Sequence, residues 1–145
     1  MTFQKSKSFK QIQKGFTLIE LLVVIAIIGI LAVGLIATID PVDKINAGND
    51  AKVFNDLTAI SKAVEQYAAS NNGSYPTTAG ALTTSGELRV LPTQPSGYTY
   101  TQTFTATSFY MTSNLKAKKY SATPVAAYNS SNGKLCAVAS GTVCP

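Results

Sequence analysis

The sequence predicts an α+β protein in which a long N-terminal helix packs on a small antiparallel sheet of about 3–4 strands. Three features of the chain support this fold class. An uncharged apolar run extends over Leu21–Ile39, and apolar residues then recur at helical spacing as far as Ala68. Runs rich in Tyr, Phe, Thr and Val follow from Tyr98 onward and are typical of strands. A chain of 145 residues has room for one small domain with an appendage.

Residues 1–15 form a short, basic, polar segment that we predict to be a leader removed from the mature protein. Its four lysines are Lys5, Lys7, Lys10 and Lys14. Without them the formal net charge of +5 falls to 5 − 4 = +1. A secretory signal has its apolar region before the cleavage site, whereas the apolar run of this chain comes after Gly15. By the positive-inside rule, the lysines are expected to keep this end in the cytoplasm.

Segment 16–40 is predicted to be a single membrane-spanning helix. The 19 residues of Leu21–Ile39 would extend about 28 Å as a helix, close to the hydrocarbon thickness of a bilayer. Glu20 lies at the start of this run, where a bare carboxylate is costly in a membrane and needs a partner. The sequence offers the amine of Phe16 as that partner, if the bond after Gly15 is cut.

A second helical segment, 41–69, is predicted to be amphipathic. Pro41 lacks a backbone N–H, so it interrupts the apolar helix and restarts a new one. The apolar positions that recur at helical spacing define the predicted buried stripe: Ile45, Val53, Phe54, Leu57, Ile60, Val64, Tyr67 and Ala68. The polar side chains predicted to face solvent are Asp50, Lys52, Asn55, Asp56, Lys62, Glu65 and Gln66.

A loop over 70–97 and a sheet region over 98–145 complete the predicted organisation. The loop contains turn-forming Gly and Pro residues, with one helical turn expected at Ala79–Leu82. The predicted strands are Tyr98–Phe104, Ser108–Leu115, Val125–Asn129 and Lys134–Ala139. A Ser/Asn/Gly turn over residues 130–133 joins the last two strands as a hairpin.

Cys136 and Cys144 are the two cysteines of the chain, and their even number and proximity predict a disulfide formed in an oxidising compartment. A hairpin centred on Ser140 and Gly141 would place them opposite one another. Two free thiols are the alternative. No metal site is predicted, because the chain has no histidine and no carboxylate near the cysteines.

The charges of the chain are divided unevenly. Residues 16–87 contain seven acids and three bases, whereas residues 88–145 contain five bases and no acid. The first interpretation is electrostatic complementarity between neighbouring copies. The second is a polyanion-binding surface, with DNA as a candidate ligand, formed by Arg89, Lys116, Lys118 and Lys119.

Catalysis is not expected from this sequence. The chain has no histidine, and its last 58 residues contain no carboxylate. No base is therefore placed to activate a serine or cysteine nucleophile. The sequence also predicts no cofactor.

The run Lys14-Gly15-Phe16-Thr17-Leu18-Ile19-Glu20, followed by the apolar segment, resembles the N-terminus of type IV pilins and pseudopilins. The resemblance covers roughly residues 10–40 and implies the pilin fold. It implies that a prepilin peptidase cuts between Gly15 and Phe16 and methylates the new amine of Phe16. It also implies that, in a filament, Glu20 forms a salt bridge with the Phe16 amine of a neighbouring copy.

The same resemblance implies a cellular setting and a set of partners. The subunit would cross the inner membrane once before assembly and would form an extracellular or periplasmic filament of identical copies afterwards. An inner-membrane assembly platform and its ATPase would drive that assembly. The implied function is that of a structural subunit of a type IV pilus-like filament, used in adhesion, motility or DNA uptake.

Two alternatives stay open on the sequence alone. One is a pseudopilin of a type II secretion or competence system. Major secretion pseudopilins usually hold calcium through C-terminal acidic loops, and no acid follows Glu87 here, which favours a pilin. The other is a monomeric, membrane-anchored binding module that never polymerises.

Overall fold

A computed structural model of the chain describes residues 15–142 and 144–145, apart from the side chains of residues 37 and 38. The predicted leader, with Lys5, Lys7, Lys10 and Lys14, therefore lies outside the described residues except for Gly15. The chain divides into two compact units, one ending at Asp40 and one running from Pro41 to Pro145. The first contains helix α1 (Leu18–Thr38), and the second begins with helix α2 (Pro41–Ser70).

Helix α1 is apolar around its whole circumference. Thr17 caps its N-terminus, and Gly29 and Gly34 both lie within the continuous helix. The side chains of residues 18–36 are all exposed. The span Leu18–Ile36 has 19 residues and a mean hydropathy of 3.0, so by length and composition it is able to cross a membrane.

Helix α2 is amphipathic, and its buried face departs from the sequence-based prediction most clearly at Ile45 and Asp50. Val53, Leu57 and Val64 are buried as expected. Ile45 was predicted to be buried but is 65% exposed. Asp50 was predicted to face solvent but is completely buried. The buried stripe thus begins at Asp50, whose position is one turn before Val53, because the sheet region supplies hydrogen-bond donors to its carboxylate.

The remaining elements confirm the α+β prediction. Helix α3 (Ala79–Thr84) lies in the loop where one helical turn was expected. The four strands are β1 (Tyr100–Thr105), β2 (Ser108–Asn114), β3 (Val125–Asn129) and β4 (Lys134–Val138). They form one antiparallel sheet in the order β1-β2-β3-β4. A 3₁₀ turn over Lys118–Tyr120 lies in the connection between β2 and β3.

The core lies between α2 and one face of the sheet. Leu57 and Ile60 belong to the same buried cluster as Phe109 and Met111 of β2. Alternate residues of β2 are buried, as the period of a strand with one covered face requires. The Phe109 ring lies 6.1 Å from that of Tyr128 between centroids. Burying a side chain of this size contributes roughly 1.5–3 kcal/mol, so the core residues dominate the stability of this unit.

The C-terminal segment turns back over the other face of the sheet. Cys136 and Cys144 form a disulfide with their Cα atoms 5.8 Å apart. The N–H of Thr142 donates to the carbonyl of Ala139 at 3.1 Å, so the turn is centred where the sequence predicted. The predicted second arm of this hairpin is wrong, since no described residue after Val138 lies in a strand. Instead Cys144 is buried in a small cluster against β3.

Replacing both Cys136 and Cys144 with serine is expected to lower the free energy of unfolding by roughly 2.5 kcal/mol, because the disulfide closes a short loop and restricts the unfolded chain. Urea unfolding of the full chain in detergent, followed by fluorescence of its tyrosines, measures this change. A reductant should shift the midpoint of the native chain but not that of the double variant. Equal midpoints for the two oxidised proteins would contradict the prediction.

Candidate functional site

The first residues of α1 hold Glu20 in a fixed position relative to the chain end that cleavage would create. The backbone N–H and the hydroxyl of Thr17 each donate to Oε2 of Glu20 at 2.9 Å. The N–H of Glu20 donates back to the Thr17 hydroxyl at 3.3 Å. This reciprocal pair is a capping box, which satisfies backbone donors that the first helical turn leaves without partners. The carboxylate is thereby held against Thr17, the residue that follows Phe16.

The surroundings of Glu20 are otherwise apolar. Phe16, Ile19, Glu20, Val23 and Val24 line a shallow cavity of about 330 Å³ along one side of α1. Phe16 is 82% exposed. Cleavage, methylation and the salt bridge to another copy stay predictions at these positions. The role of Thr17 was missed by the sequence reasoning, although the spacing Thr-x-x-Glu before an apolar run is the signal of a capping box.

A second set of polar contacts joins α2 to the sheet region, beginning with Asp50. The Tyr98 hydroxyl donates to Oδ1 of Asp50 at 2.8 Å. The backbone N–H groups of Lys116 and Ala117 donate to the same carboxylate at 3.0 and 2.8 Å. Two turns earlier in α2, Asp43 accepts from the N–H of Lys118 at 2.6 Å. Two acids of α2 therefore bind the backbone of the β2–β3 connection.

Two further acids of α2 accept hydrogen bonds from tyrosines. The Tyr100 hydroxyl donates to Asp56 at 2.6 Å, and Asp56 also pairs with Lys52. The Tyr128 hydroxyl donates to Glu65 at 2.8 Å. Hydrogen bonds that involve a charged group are about twice as strong as neutral ones, so these contacts fix the sheet against the helix. Four acidic side chains of α2 therefore accept hydrogen bonds within the subunit: Asp43, Asp50, Asp56 and Glu65.

The same contacts perturb the tyrosines. Burial raises the pKa of Tyr98, Tyr100 and Tyr128 well above the ordinary value of a phenol. In each case the hydrogen bond to a carboxylate raises the pKa further, because ionisation would break that bond and place two negative charges together. Burial also raises the pKa of Tyr75.

The unit that contains the sheet is expected to lose stability in alkali. Between the unfolded pKa of about 10 and the higher folded pKa, the folded state keeps phenolic protons that the unfolded state has lost. The stabilising contribution is therefore complete below about pH 10 and declines as the pH rises further. Thermal unfolding of the full chain in detergent from pH 8 to 12 measures the decline. Tyr98→Phe should make the decline shallower, and an unchanged pH profile in that variant would contradict the assignment.

The predicted polyanion residues are exposed, but the tyrosines beside them are occupied. The ammonium group of Lys116 lies 5.0 Å above the ring centroid of Tyr98, which is only 4% exposed. Lys119 lies 4.7 Å above the ring of Tyr120. These rings do not offer a free face for stacking on nucleic-acid bases. Polyanion binding by Arg89 and the three lysines stays a prediction that depends on their charge alone. Within the described residues, no cluster of His, Cys, Asp or Glu has the composition of a metal site.

Comparisons with known proteins find relatives that match the start of α1. Residues 10–36 match the family model described as the prokaryotic N-terminal methylation motif. The "Type II secretion system core protein G" of Klebsiella michiganensis is 37% identical over 91 residues, which is 60% of this chain and 55% of that protein. The protein of the same name from Escherichia coli is 34% identical over 86 residues, covering 59% of this chain and 57% of the relative.

A relative with a different name matches the chain as well. The "Fimbrial protein EcpC" of Eikenella corrodens is 46% identical over 67 residues, covering 46% of this chain and 42% of that protein. The chain thus spans about half the length of the curated relatives it matches. No solved structure matches it significantly. In its N-terminal methylation motif, its α+β architecture and these relatives, the chain is similar to the type IV pilins and pseudopilins.

Proposed function

We propose that this protein is a structural subunit of a type IV pilus-like filament, which polymerises through α1 after its leader is removed. The observation that carries the proposal is the capped start of α1. There a carboxylate on a helix of membrane length lies beside the position of the future amino terminus. Prepilin peptidase would cut between Gly15 and Phe16 and methylate the amine of Phe16.

The physical argument concerns the fate of Glu20 when α1 leaves the bilayer. A charged carboxylate among apolar helices is costly unless a cation neutralises it. The amine of Phe16 on a neighbouring copy supplies that cation. A subunit that entered one position out of register would leave both charges without a partner, so the pair would also select the correct register. Exchange of lipid for neighbouring copies yields little hydrophobic gain, so specificity has to come from such polar contacts.

The proposal includes the partners and location that filament assembly requires. Before assembly, α1 would cross the cytoplasmic membrane once, with the basic leader in the cytoplasm. An assembly platform and its ATPase would move the subunit into a filament outside that membrane. The Cys136–Cys144 disulfide is consistent with an oxidising compartment for the sheet region. Adhesion, motility and DNA uptake are candidate uses of the filament.

A second candidate is a pseudopilin of a type II secretion or competence system. It is favoured by relatives named type II secretion system core protein G in Klebsiella and Escherichia. Such a subunit would form a short periplasmic filament rather than a surface pilus. The calcium-holding acidic loop of many secretion pseudopilins has no counterpart among the acids of this sequence, since none follows Glu87.

The intact mass of the protein extracted from membranes tests the shared part of the proposal. We expect a chain that begins at Phe16 and carries one added methyl group. A chain that keeps Met1–Gly15 would instead support a membrane-anchored module that does not polymerise. Shearing of cells followed by identification of the filament protein then separates the two candidates, because only a surface pilus is released by shear.

A further inference from the structure

We propose that a crevice between α2 and the β3–β4 hairpin receives the exposed pair Arg89–Val90 of a second copy of this chain. The inference rests on the proposed function, because it requires neighbouring copies in a filament. The crevice has a volume of about 540 Å³. Helix α2 contributes Lys62 and Glu65 to its lining, and the hairpin contributes Tyr128 and Leu135.

Within the described part of the chain, the carboxylate in the crevice has no cationic partner. Glu65 accepts from the hydroxyls of Tyr128 and Tyr75, at 2.8 and 3.1 Å, and both donors are neutral. Lys62 also lines the crevice, but it is exposed and forms no ion pair with Glu65 in the described part of the chain. Tyr128 and Leu135 add apolar surface beside the carboxylate. The crevice therefore fits a ligand with a cation next to an apolar group.

The pair Arg89–Val90 has this composition, and it follows a residue that is held in place by the core. Both side chains are exposed, and Val90 is 74% exposed. Among the described residues after Ile45, Val90 is the single large hydrophobic side chain that is strongly exposed. The preceding residue, Leu88, packs against the core and donates its N–H to the carbonyl of Leu82 at 3.0 Å. The pair is thus presented to solvent without a partner in its own subunit to bury Val90.

Within the described residues, Arg89 is also the one basic residue after Glu87 for which the structure shows no contact that engages its charge. Lys116 and Lys119 lie over tyrosine rings, and Lys134 donates to the Pro145 carbonyl at 2.9 Å. Lys118 has a contact within the chain as well. The guanidinium of Arg89 is free to donate two parallel hydrogen bonds to a carboxylate, a geometry that an ammonium group lacks. The uneven division of charge along the sequence then places acid and base on opposite sides of one contact between copies.

Cross-linking between two chains that each carry one added free cysteine tests the contact. Lys62→Cys and Val90→Cys chains would be co-expressed as full-length proteins, and sheared filaments or membranes would be treated with a short bis-maleimide. The native cysteines are joined in a disulfide, so they do not react. The matched control pairs Val90→Cys with Thr103→Cys, which is exposed on β1 at the opposite edge of the sheet from β4. Only contacts between chains give a dimer in this design.

We expect the Lys62→Cys and Val90→Cys pair to give roughly tenfold more dimer than the control pair, because residues at a specific interface are held close together. Filaments that form normally but cross-link no better than the control would overturn the inference and leave the proposed function intact. Capture of the Lys62→Cys chain by a polypeptide of another mass would assign the crevice to a different partner and also overturn it. Monomers that keep residues 1–15 and form no filament would overturn both.

A charge reversal provides an independent measurement. Arg89→Glu is expected to lower filament yield by roughly tenfold, because two carboxylates would then meet at the contact. Arg89→Lys keeps the charge and should recover part of the yield. Since Arg89 is exposed, thermal unfolding of the monomer in detergent should be the same in all three proteins. Wild-type yield from Arg89→Glu would overturn the role of the charge.

Discussion

Replacing Asp50 with alanine is expected to destabilise the unit that contains the sheet by roughly 3–5 kcal/mol, because it leaves several buried donors without an acceptor. The carboxylate is fully buried and accepts from the Tyr98 hydroxyl and from the N–H groups of Lys116 and Ala117. The connection between β2 and β3 should therefore detach from α2 before the rest of the unit unfolds.

Urea unfolding of the full chain in detergent measures the loss of free energy. Hydrogen exchange of the Lys116 and Ala117 amides measures the local effect. Asn55→Ala is the matched control, since Asn55 is an exposed residue of the same helix and its loss should cost about 0.5 kcal/mol or less. Asp50→Asn keeps one acceptor oxygen, so the free energy of unfolding should fall by an amount between those of the Asp50→Ala and Asn55→Ala variants. An Asp50→Ala variant as stable as Asn55→Ala would contradict the role of this carboxylate.

The second large effect is expected at Glu20, where Glu20→Gln should strongly reduce filament assembly while processing continues. Glutamine keeps an oxygen that accepts from the N–H of Thr17, so the helix cap is preserved, but it removes the charge that would bind the amine of Phe16. We expect filament yield to fall by roughly tenfold or more, since the amine would be left among apolar helices without its counter-charge.

Thr17→Ala is the matched control, because it removes the hydroxyl of the capping box and keeps the charge of Glu20. It should weaken the start of α1 by about 1 kcal/mol, yet filaments should still form. Intact mass of each variant shows whether residues 1–15 are removed. Normal filaments from Glu20→Gln would exclude the charge pair, and failure of Thr17→Ala alone would indicate that the cap, rather than the charge, controls assembly.

Features that depend on a few neighbouring residues could be predicted from the sequence. The apolar run of α1, the restart of the helix at Pro41 and the strand Val125–Asn129 all agree with the structure. Each is a local periodic pattern or a property of one residue type. The partner of Cys136 was also predictable, since the chain has two cysteines and they lie close together.

Asp50 shows why the sequence was insufficient at the polar contacts. Its position continues the buried spacing of Val53 and Leu57, but the type of residue favoured solvent, and the sequence-based prediction followed the residue type. Ile45 was misassigned for the converse reason, because no part of the described sheet region covers the exposed start of α2 at that position. In both cases the environment depended on distant segments.

The sequence by itself determined the apolar helix, the motif around Phe16 and Glu20, the class of fold and the cysteine pair, because these are encoded in local spacing and composition. Only the tertiary structure decided which acids are buried and which tyrosines bind them. The donors to Asp50 are 48, 66 and 67 residues away in the chain, and the sheet brings them to α2. The free energy of a buried charge depends on such donors, and no local pattern specifies where they will lie.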